Sequence, residues 1–356
     1  MADGALLLAW LVLAHLVADF VLQTARVARQ KSSHGSVAAV GLLAHGMIVA
    51  GCVAPIGLAY GDRGWWFVIV TAISHLAIDR AKVVLTRRAA AAALREAHER
   101  HEGPQPAEHL GRAWTPRPAA LFLADQAAHL GVAFALWAAL LVETPLAAGW
   151  IAVVNGSLGG WDHPAVHRIV GGAVVLAALG IVNIRAASLF VGILVRPVEV
   201  TAGGEHRWGS RAGPADPAWA ERPATAPPTS AGPAPLPSTR RWSIRLGPLD
   251  ARLTAEPEPV VPPVATVPGA ASAPLGASAR VGATIGILER LLIVVFVLTG
   301  TDVAIGFVVA AKTLARFRLL DDRDFAEYYL LGTLASVSVA IVSALIGRAA
   351  LAALLA

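Results

Sequence analysis

Histidine and aspartate residues recur four positions apart inside long apolar stretches of the sequence. The first stretch carries His15 and Asp19, and Gln23 continues the same helix face by one more turn. An ionisable group near the middle of a membrane costs about 2.5–3.5 kcal/mol, so such groups usually face a protein interior and usually serve a function. Three further apolar stretches carry the remaining members of the set, namely His45, His75, Asp79, Asp125 and His129.

These side chains are the ligand types of a zinc or other first-row divalent metal site, of one ion or two. Two ligands four residues apart can bind one ion, or one of them can orient the other. A bound zinc or manganese ion would make water nucleophilic near neutral pH, and a spare carboxylate could act as general base. The predicted metal ligands are His15, Asp19, His45, His75, Asp79, Asp125 and His129, and Asp19, Asp79 and Asp125 are also the predicted catalytic carboxylates.

A hydrogen-bonded network that packs the helices is the alternative to a metal site. One histidine or aspartate per helix would suffice for such a network. The sequence has three pairs at four-residue spacing, which exceeds that need and favours a functional site.

The composition is that of a membrane protein. Of the 356 residues 56% are hydrophobic and 15% are charged, with a mean hydropathy of +0.62, whereas soluble domains carry about 25% charged residues. We predict an all-α, polytopic transmembrane bundle, because uncharged runs of roughly 20 residues recur. The eight predicted spans are Ala5–Gln23, Val37–Tyr60, Trp65–Leu85, Ala119–Val142, Val166–Val195, Gly282–Gly300, Asp302–Phe317 and Ala326–Leu354.

Loop charges predict the orientation of these spans. Lys and Arg are concentrated after the first, third, fifth and seventh spans and are sparse after the others. The positive-inside rule then places both termini outside and the basic loops in the cytoplasm. Because successive spans run in opposite directions, the ionisable groups of the first four converge in the cytoplasmic half of the membrane. The net charge of +5 fits this topology, and no nucleic-acid partner is expected.

Arg185 lies with Asn183 in the fifth span, at a depth similar to that of the His/Asp set. Its guanidinium could hold a phosphate or a lipid headgroup bidentately, as a catalytic residue. It could equally pair with Asp19, Asp79 or Asp125 in a structural network, and the sequence leaves both interpretations open.

A polar segment, residues 196–280, separates an N-terminal bundle (1–195) from C-terminal helices (281–356). Sixteen of the 23 prolines lie in this segment, mixed with Ala, Gly, Ser and Thr. We predict a disordered cytoplasmic linker, through which a protein partner could bind. The chain has no phosphate loop, dinucleotide fingerprint or Gly-x-Ser-x-Gly elbow, so nucleotide-driven chemistry and serine hydrolysis have no support.

The motif His15-x-x-x-Asp19-Phe-x-Leu-Gln23 resembles the start of a bacterial integral-membrane family that is known only as a domain of unknown function. The resemblance extends from Leu6 to Leu141 and includes His45, Ser74-His75-x-x-x-Asp79 and Asp125-Gln126-x-x-His129. C-terminal elements such as Gly286-Ile-Leu-Glu-Arg290 resemble those of longer members. The family implies a bacterial plasma-membrane location and this site, but no reaction. A weaker similarity is to membrane-bound metal-dependent hydrolases.

Three functions are compatible with these patterns. The leading hypothesis is a metal-dependent hydrolase that acts on an anionic lipid or phosphoester at the cytoplasmic leaflet. A transporter of protons or divalent metal could use the same side chains, but the outer halves of the first four spans are almost wholly apolar. A membrane scaffold that recruits a partner through residues 196–280 is the third hypothesis.

Overall fold

The described part of the chain folds almost entirely into helices. The computed structural model describes residues 4–99, 112–159, 162–195, 198–199, 241–246, 249–254, 275–321 and 323–355. Two π-helical turns, Val17–Leu22 and Val182–Ala186, follow directly on helices α1 and α6. The helices are α1 (Gly4–Leu16), α2 (Ala25–Lys31), α3 (Gly35–Glu99), α4 (Arg117–Leu140), α5 (Ala148–Leu158), α6 (His163–Ile181), α7 (Ala187–Val195), α8 (Leu275–Thr299), α9 (Ala304–Ala315) and α10 (Arg323–Leu355).

Six helical stretches within the described residues are long and apolar enough to cross a membrane. One of them, Gly35–Ala93, contains two predicted spans, so seven of the eight predicted spans have a counterpart. The prediction of a polytopic helical membrane protein is confirmed. The remaining span, 302–317, corresponds to α9, whose 12 residues extend about 18 Å, less than the roughly 30 Å of the hydrocarbon core. The short apolar helix α5 has no counterpart among the predicted spans.

Helix α3 consists of two limbs that reverse direction at Gly61. The backbone there has φ 62° and ψ −138°, a left-handed conformation that glycine adopts without a steric penalty. The reversal brings the limbs together, and a Cβ on Gly46 would lie 3.0 Å from the Leu76 side chain. The two limbs therefore form a helical hairpin that places His45 beside His75.

Two apolar clusters hold the helices together. The first, which we call the turn cluster, fills the end of the bundle around the Gly61 turn and has Phe67 at 0% exposure. The second joins α6, α8 and α10, where small residues allow close approach: a Cβ on Gly347 would lie 2.7 Å from Leu179. Large apolar side chains such as Met47 and Phe307, both 74% exposed, cover the outside of the helices, as expected of a lipid-facing surface.

Two short antiparallel strand pairs complete the fold. Strand β1 (Arg112–Ala113) pairs with β2 (Val198–Glu199). Strands β3 (Arg241–Leu246) and β4 (Leu249–Thr254) form a hairpin within the compact unit Trp219–Ser278. This hairpin and the start of α8 fall inside the segment 196–280. Most of that segment lies outside the described residues, so its disorder stays a prediction.

Candidate metal centre

The first helix changes its winding where it enters the site. The α-helix ends at Leu16, and Asp19 lies in the π-helical turn that follows. The turn closes with a bond from Gln23 N to Ala18 O at 3.1 Å. A π turn contains one extra residue, so it points Asp19 in a direction that regular α-helical spacing from His15 would not give. Such turns are rare in proteins overall, but many of those that occur lie at functional sites.

Three side chains from α3 and the π turn meet at the centre of the bundle. The Asp19 Oδ1 atom lies 3.2 Å from His45 Nε2 and 3.2 Å from His75 Nε2, and the two Nε2 atoms are 3.0 Å apart. We call these three residues the central triangle. His45 is 0% exposed, His75 is 4% exposed and the Asp19 side chain is 8% exposed, so the triangle is largely buried.

Asp79 extends the triangle by one helical turn. Its Oδ2 atom lies 3.4 Å from His45 Nε2 and 3.8 Å from His75 Nε2. The same oxygen accepts a hydrogen bond from Lys31 Nζ at 2.7 Å. Asp79 is completely buried, and therefore needs this cation or another one.

Lys31 reaches Asp79 because the short helix α2 packs closely onto α3. A Cβ on Gly41 would lie 2.5 Å from the Lys31 backbone nitrogen, so only glycine fits at this contact. The ammonium group also donates to Gln23 Oε1 at 2.7 Å. Arg87 holds the end of α2 by donating to the main-chain oxygens of Ser32 and Ser33. The contact partly covers the site from the side of the loop between α1 and α3.

Helix α4 adds a second set of polar side chains. Asp125 Oδ2 accepts hydrogen bonds from Lys82 Nζ at 2.5 Å and from Gln126 Nε2 at 2.9 Å. His129 Nδ1 lies 2.8 Å from the Asp125 main-chain oxygen and 3.6 Å from Asp125 Oδ1. His15 Nε2 lies 3.1 Å from Gln126 Oε1. This set, which we call the α4 group, adjoins the central triangle.

The imidazole rings form a continuous series of ring contacts that joins the two sets. Ring centroids lie 5.0 Å apart for His45 and His75, 3.9 Å for His75 and His129, and 5.1 Å for His129 and His15. A cavity of about 20 Å³ is lined by His15, His75, His129 and Thr71 among others. That volume suffices for one water molecule.

The structure thus brings all seven predicted ligands into one cluster. Three overlapping sets have ligand atoms within 4.8 Å of one another: His15, Asp19 and His75; His45, His75 and Asp79; and Asp79, Asp125 and His129. Whether an ion occupies them, and which carboxylate takes part in a reaction, stay predictions. The seven ligands include three carboxylates, and Lys31 and Lys82 add two ammonium groups. The site therefore has an excess negative charge when the histidines are neutral.

Sequence reasoning missed the two lysines of the site. Loop charge places Lys31 in the basic loop after the first span, and Lys82 lies three residues before the end of the third predicted span, so neither is predicted at the site. Their side chains are 10% and 27% exposed and both bind buried carboxylates. Helical spacing offered a signal for Lys82 only, because it follows Asp79 by three residues on the same helix.

Arg185 lies apart from these contacts. It is exposed on the second π turn, whereas its neighbour Asn183 is completely buried. The buried guanidinium of this region is Arg290, which donates to Asn183 O at 2.7 Å and to the hydroxyls of Ser188 and Ser336. Anion binding by Arg185 stays a prediction.

Apolar side chains pack against the His/Asp cluster on the side that faces the Gly61 turn. The side chains directly beyond it belong to the turn cluster and include Leu11 of α1, Leu141 just after α4, and Val53 and Phe67 of the two limbs of α3. The polar contacts therefore concentrate at the α2 end of the bundle.

Residues 7–156 match the model of a family described as Protein of unknown function (DUF3307). No curated protein and no solved structure matches the chain. The matched segment contains the central triangle, Asp79, the α4 group and both lysines, whereas Arg185 and α8–α10 lie outside it. The resemblance to a domain of unknown function is confirmed, and the similarity to membrane-bound hydrolases stays a prediction. The N-terminal part of this chain is therefore similar to a domain of unknown function.

Proposed function

We propose that this domain is a metal-dependent hydrolase that acts on an anionic lipid or phosphoester at the cytoplasmic leaflet. In this proposal Asp19, His45 and His75 hold one zinc or manganese ion. The observation that carries it is the central triangle, whose three edges are 3.2, 3.2 and 3.0 Å. Ligand atoms in a tetrahedral zinc shell with bonds of roughly 2.0–2.2 Å are about 3.3–3.6 Å apart, slightly wider than these edges.

Hydrogen bonding alone satisfies the triangle poorly. Asp19 Oδ1 has no hydrogen-bond partner among the described residues, although two imidazole nitrogens lie 3.2 Å away. If both histidines carried a proton on Nε2, the two N–H groups would oppose each other across 3.0 Å. A cation at the common centre would be bound by all three atoms without that conflict.

The geometry also supports an open coordination position. Three protein ligands leave a fourth position for water or substrate, as in catalytic zinc sites. Asp79 Oδ2, at 3.4 Å from His45 Nε2, is close enough to approach that position. While Lys31 holds this carboxylate, Asp79 is placed to accept a proton from water instead, which makes it our candidate general base.

An anionic substrate follows from the charges. The three carboxylates and two ammonium groups leave one negative charge, and a divalent ion would turn this into one positive charge. A bound metal supplies Lewis acidity to such a substrate and makes water nucleophilic. The cavity beside His15 has room for one water, and its wall contains Thr71 Oγ1, which has no hydrogen-bond partner in the described structure.

Transport of the same ion would require a polar path to the opposite face. The apolar side chains beyond the cluster, including Leu11 and Phe67, disfavour that path, because an ion would lose its ligands there. We therefore treat transport as an outcome that the experiment must distinguish from hydrolysis.

The test measures bound metal and turnover on the same preparation. Detergent-purified wild type and Asp19→Asn are stripped with chelator, reloaded with zinc or manganese, and analysed by elemental analysis. Both are then assayed with bis(p-nitrophenyl) phosphate and with phosphatidylglycerol vesicles. We expect stoichiometric metal and metal-dependent hydrolysis of one probe in wild type, and loss of both in Asp19→Asn. Asp302→Asn, which changes an exposed carboxylate, is the matched control.

Two results would overturn the proposal. Absence of metal above the level of Asp19→Asn would remove the centre itself. Bound metal without hydrolysis of either probe, together with zinc uptake into proteoliposomes that Asp19→Asn abolishes, would assign the centre to transport.

A further inference from the structure

We infer that a second divalent cation binds beside the first, held by Asp125 and His129 of α4 and sharing Asp79 with the central triangle. The inference deepens the proposed function and rests on it. It narrows the proposed substrates, an anionic lipid or a phosphoester, to a phosphoester.

The geometry of the second position is given by three buried side chains. Ligand atoms of Asp79, Asp125 and His129 lie within 4.8 Å of one another. These residues are 0%, 4% and 5% exposed. Asp79 also approaches His45 and His75 of the central triangle through Oδ2. One carboxylate thus lies between two sets of ligands, so with two ions bound Asp79 would bridge them instead of acting as the general base.

Two carboxylate oxygens beside the α4 group lack a partner, which indicates a binding position for a cation. Asp79 Oδ1 and Asp125 Oδ1 are buried and have no hydrogen-bond partner in the described structure. A buried charged oxygen without a partner is costly. Helix packing alone would have satisfied these atoms, because a single hydroxyl or amide donor would suffice for each. A cation between the two carboxylates would bind both oxygens.

Lys82 occupies the place of a cation at this position. Its amino group lies 2.5 Å from Asp125 Oδ2 and 5.0 Å from the centre of the Phe122 ring. Its side chain is 27% exposed, compared with 10% for Lys31. The long, flexible Lys82 side chain can therefore move toward the surface when a metal takes over Asp125. It would then be available to an anionic group of the substrate.

Two adjacent ions suit the chemistry of phosphoester hydrolysis. A pair of divalent ions stabilises both the attacking and the leaving oxygen of an in-line displacement at phosphorus. Attack of water on the phosphorus forms one P–O bond and breaks the bond to the leaving alkoxide. The water loses its proton to solvent, and the leaving alkoxide gains a proton from solvent. The products are a phosphomonoester, or inorganic phosphate, and an alcohol.

Manganese is the probe for the second position. Chelator-stripped protein is titrated with Mn²⁺ and followed by electron paramagnetic resonance, which detects spin coupling between adjacent ions. We expect two Mn²⁺ per chain with a coupled spectrum in wild type. Asp125→Asn should retain one uncoupled Mn²⁺, whereas Asp19→Asn should lose the ion of the central triangle.

Lys82→Met separates a cation site from a structural ion pair. It leaves every ligand in place and removes the resident positive charge, so we expect the weaker of the two Mn²⁺ dissociation constants to fall about tenfold. An unchanged dissociation constant in Lys82→Met, or one uncoupled ion per chain in wild type, would overturn the second position and leave the proposed function intact. No bound Mn²⁺ in wild type would overturn both.

Discussion

The amino group of Lys31 lies 2.7 Å from Asp79 Oδ2, so a residue of the short helix α2 supplies the counter-charge of a fully buried carboxylate. Gly41 makes this contact possible by letting the backbone of α2 lie directly on α3. The relationship ties the loop after the first span to the centre of the bundle. The positive charge of Lys31 also repels any metal ion that binds beside Asp79.

Lys31→Met should have opposite effects on the metal-free and the metal-loaded protein. Without metal it leaves Asp79 buried and unpaired, which should lower the free energy of unfolding by about 3–5 kcal/mol. With metal it removes a repelling charge, so binding should be tighter. Thermal unfolding in chelator and in saturating zinc measures both, and the gap between the two midpoints should widen relative to wild type. An equal drop under both conditions would assign Lys31 to folding alone.

Gly41→Ala should displace α2 from α3. The added methyl group would meet the Lys31 nitrogen at 2.5 Å and Gln30 Cβ at 2.6 Å, so the backbone must move at a cost of about 1–3 kcal/mol. Hydrogen exchange of residues 25–31 should become faster. Gly51→Ala is the matched control on the same limb of α3, because its Cβ would meet nothing within 4 Å. The control should be neutral or stabilise by up to about 1 kcal/mol.

Arg290→Ala should destabilise the bundle without changing metal content. The guanidinium is 4% exposed and donates to one main-chain oxygen and two hydroxyls. Its removal leaves acceptors on α7 and α10 unpaired, and we expect a loss of about 2–4 kcal/mol. Arg185→Ala, on an exposed residue of the neighbouring π turn, should stay within about 0.5 kcal/mol of wild type. Denaturant unfolding and elemental analysis together test the pair, and a loss of metal in Arg290→Ala would contradict this structural role.

Metal should stabilise the protein by mass action, because the ligands converge only in the folded state. Zinc at 1,000 times its dissociation constant should raise the free energy of unfolding by about 4 kcal/mol. Asp19→Asn should abolish the increase, whereas Asp302→Asn should keep it. Differential scanning calorimetry with zinc and with chelator provides the measurement. The same increase in Asp19→Asn would show that the central triangle does not hold the ion.

The amino-acid sequence predicted the class of fold and the members of the cluster well, because both depend on local properties. Uncharged runs of about 20 residues define membrane-spanning helices whatever their neighbours are. An ionisable side chain such as His75 or Asp125 in such a run must face inward, since lipid offers it no partner. Spans separated by short turns must alternate in direction, which predicted that the groups of the first four meet at one depth.

Only the tertiary structure decided which of these groups contact one another and which cations bind the buried carboxylates. The π turn at Asp19 depends on how the first helix packs, and no spacing rule reveals it. Loop charge places Lys31 outside the spans and Lys82 lies at the end of one, yet their amino groups lie 2.7 and 2.5 Å from buried carboxylates. Likewise Arg185 is exposed, whereas Arg290 is buried. The physical reason is that hydropathy and spacing report the depth and the helix face of a residue, whereas the rotation of that helix against its neighbours is set by contacts between segments far apart in the chain.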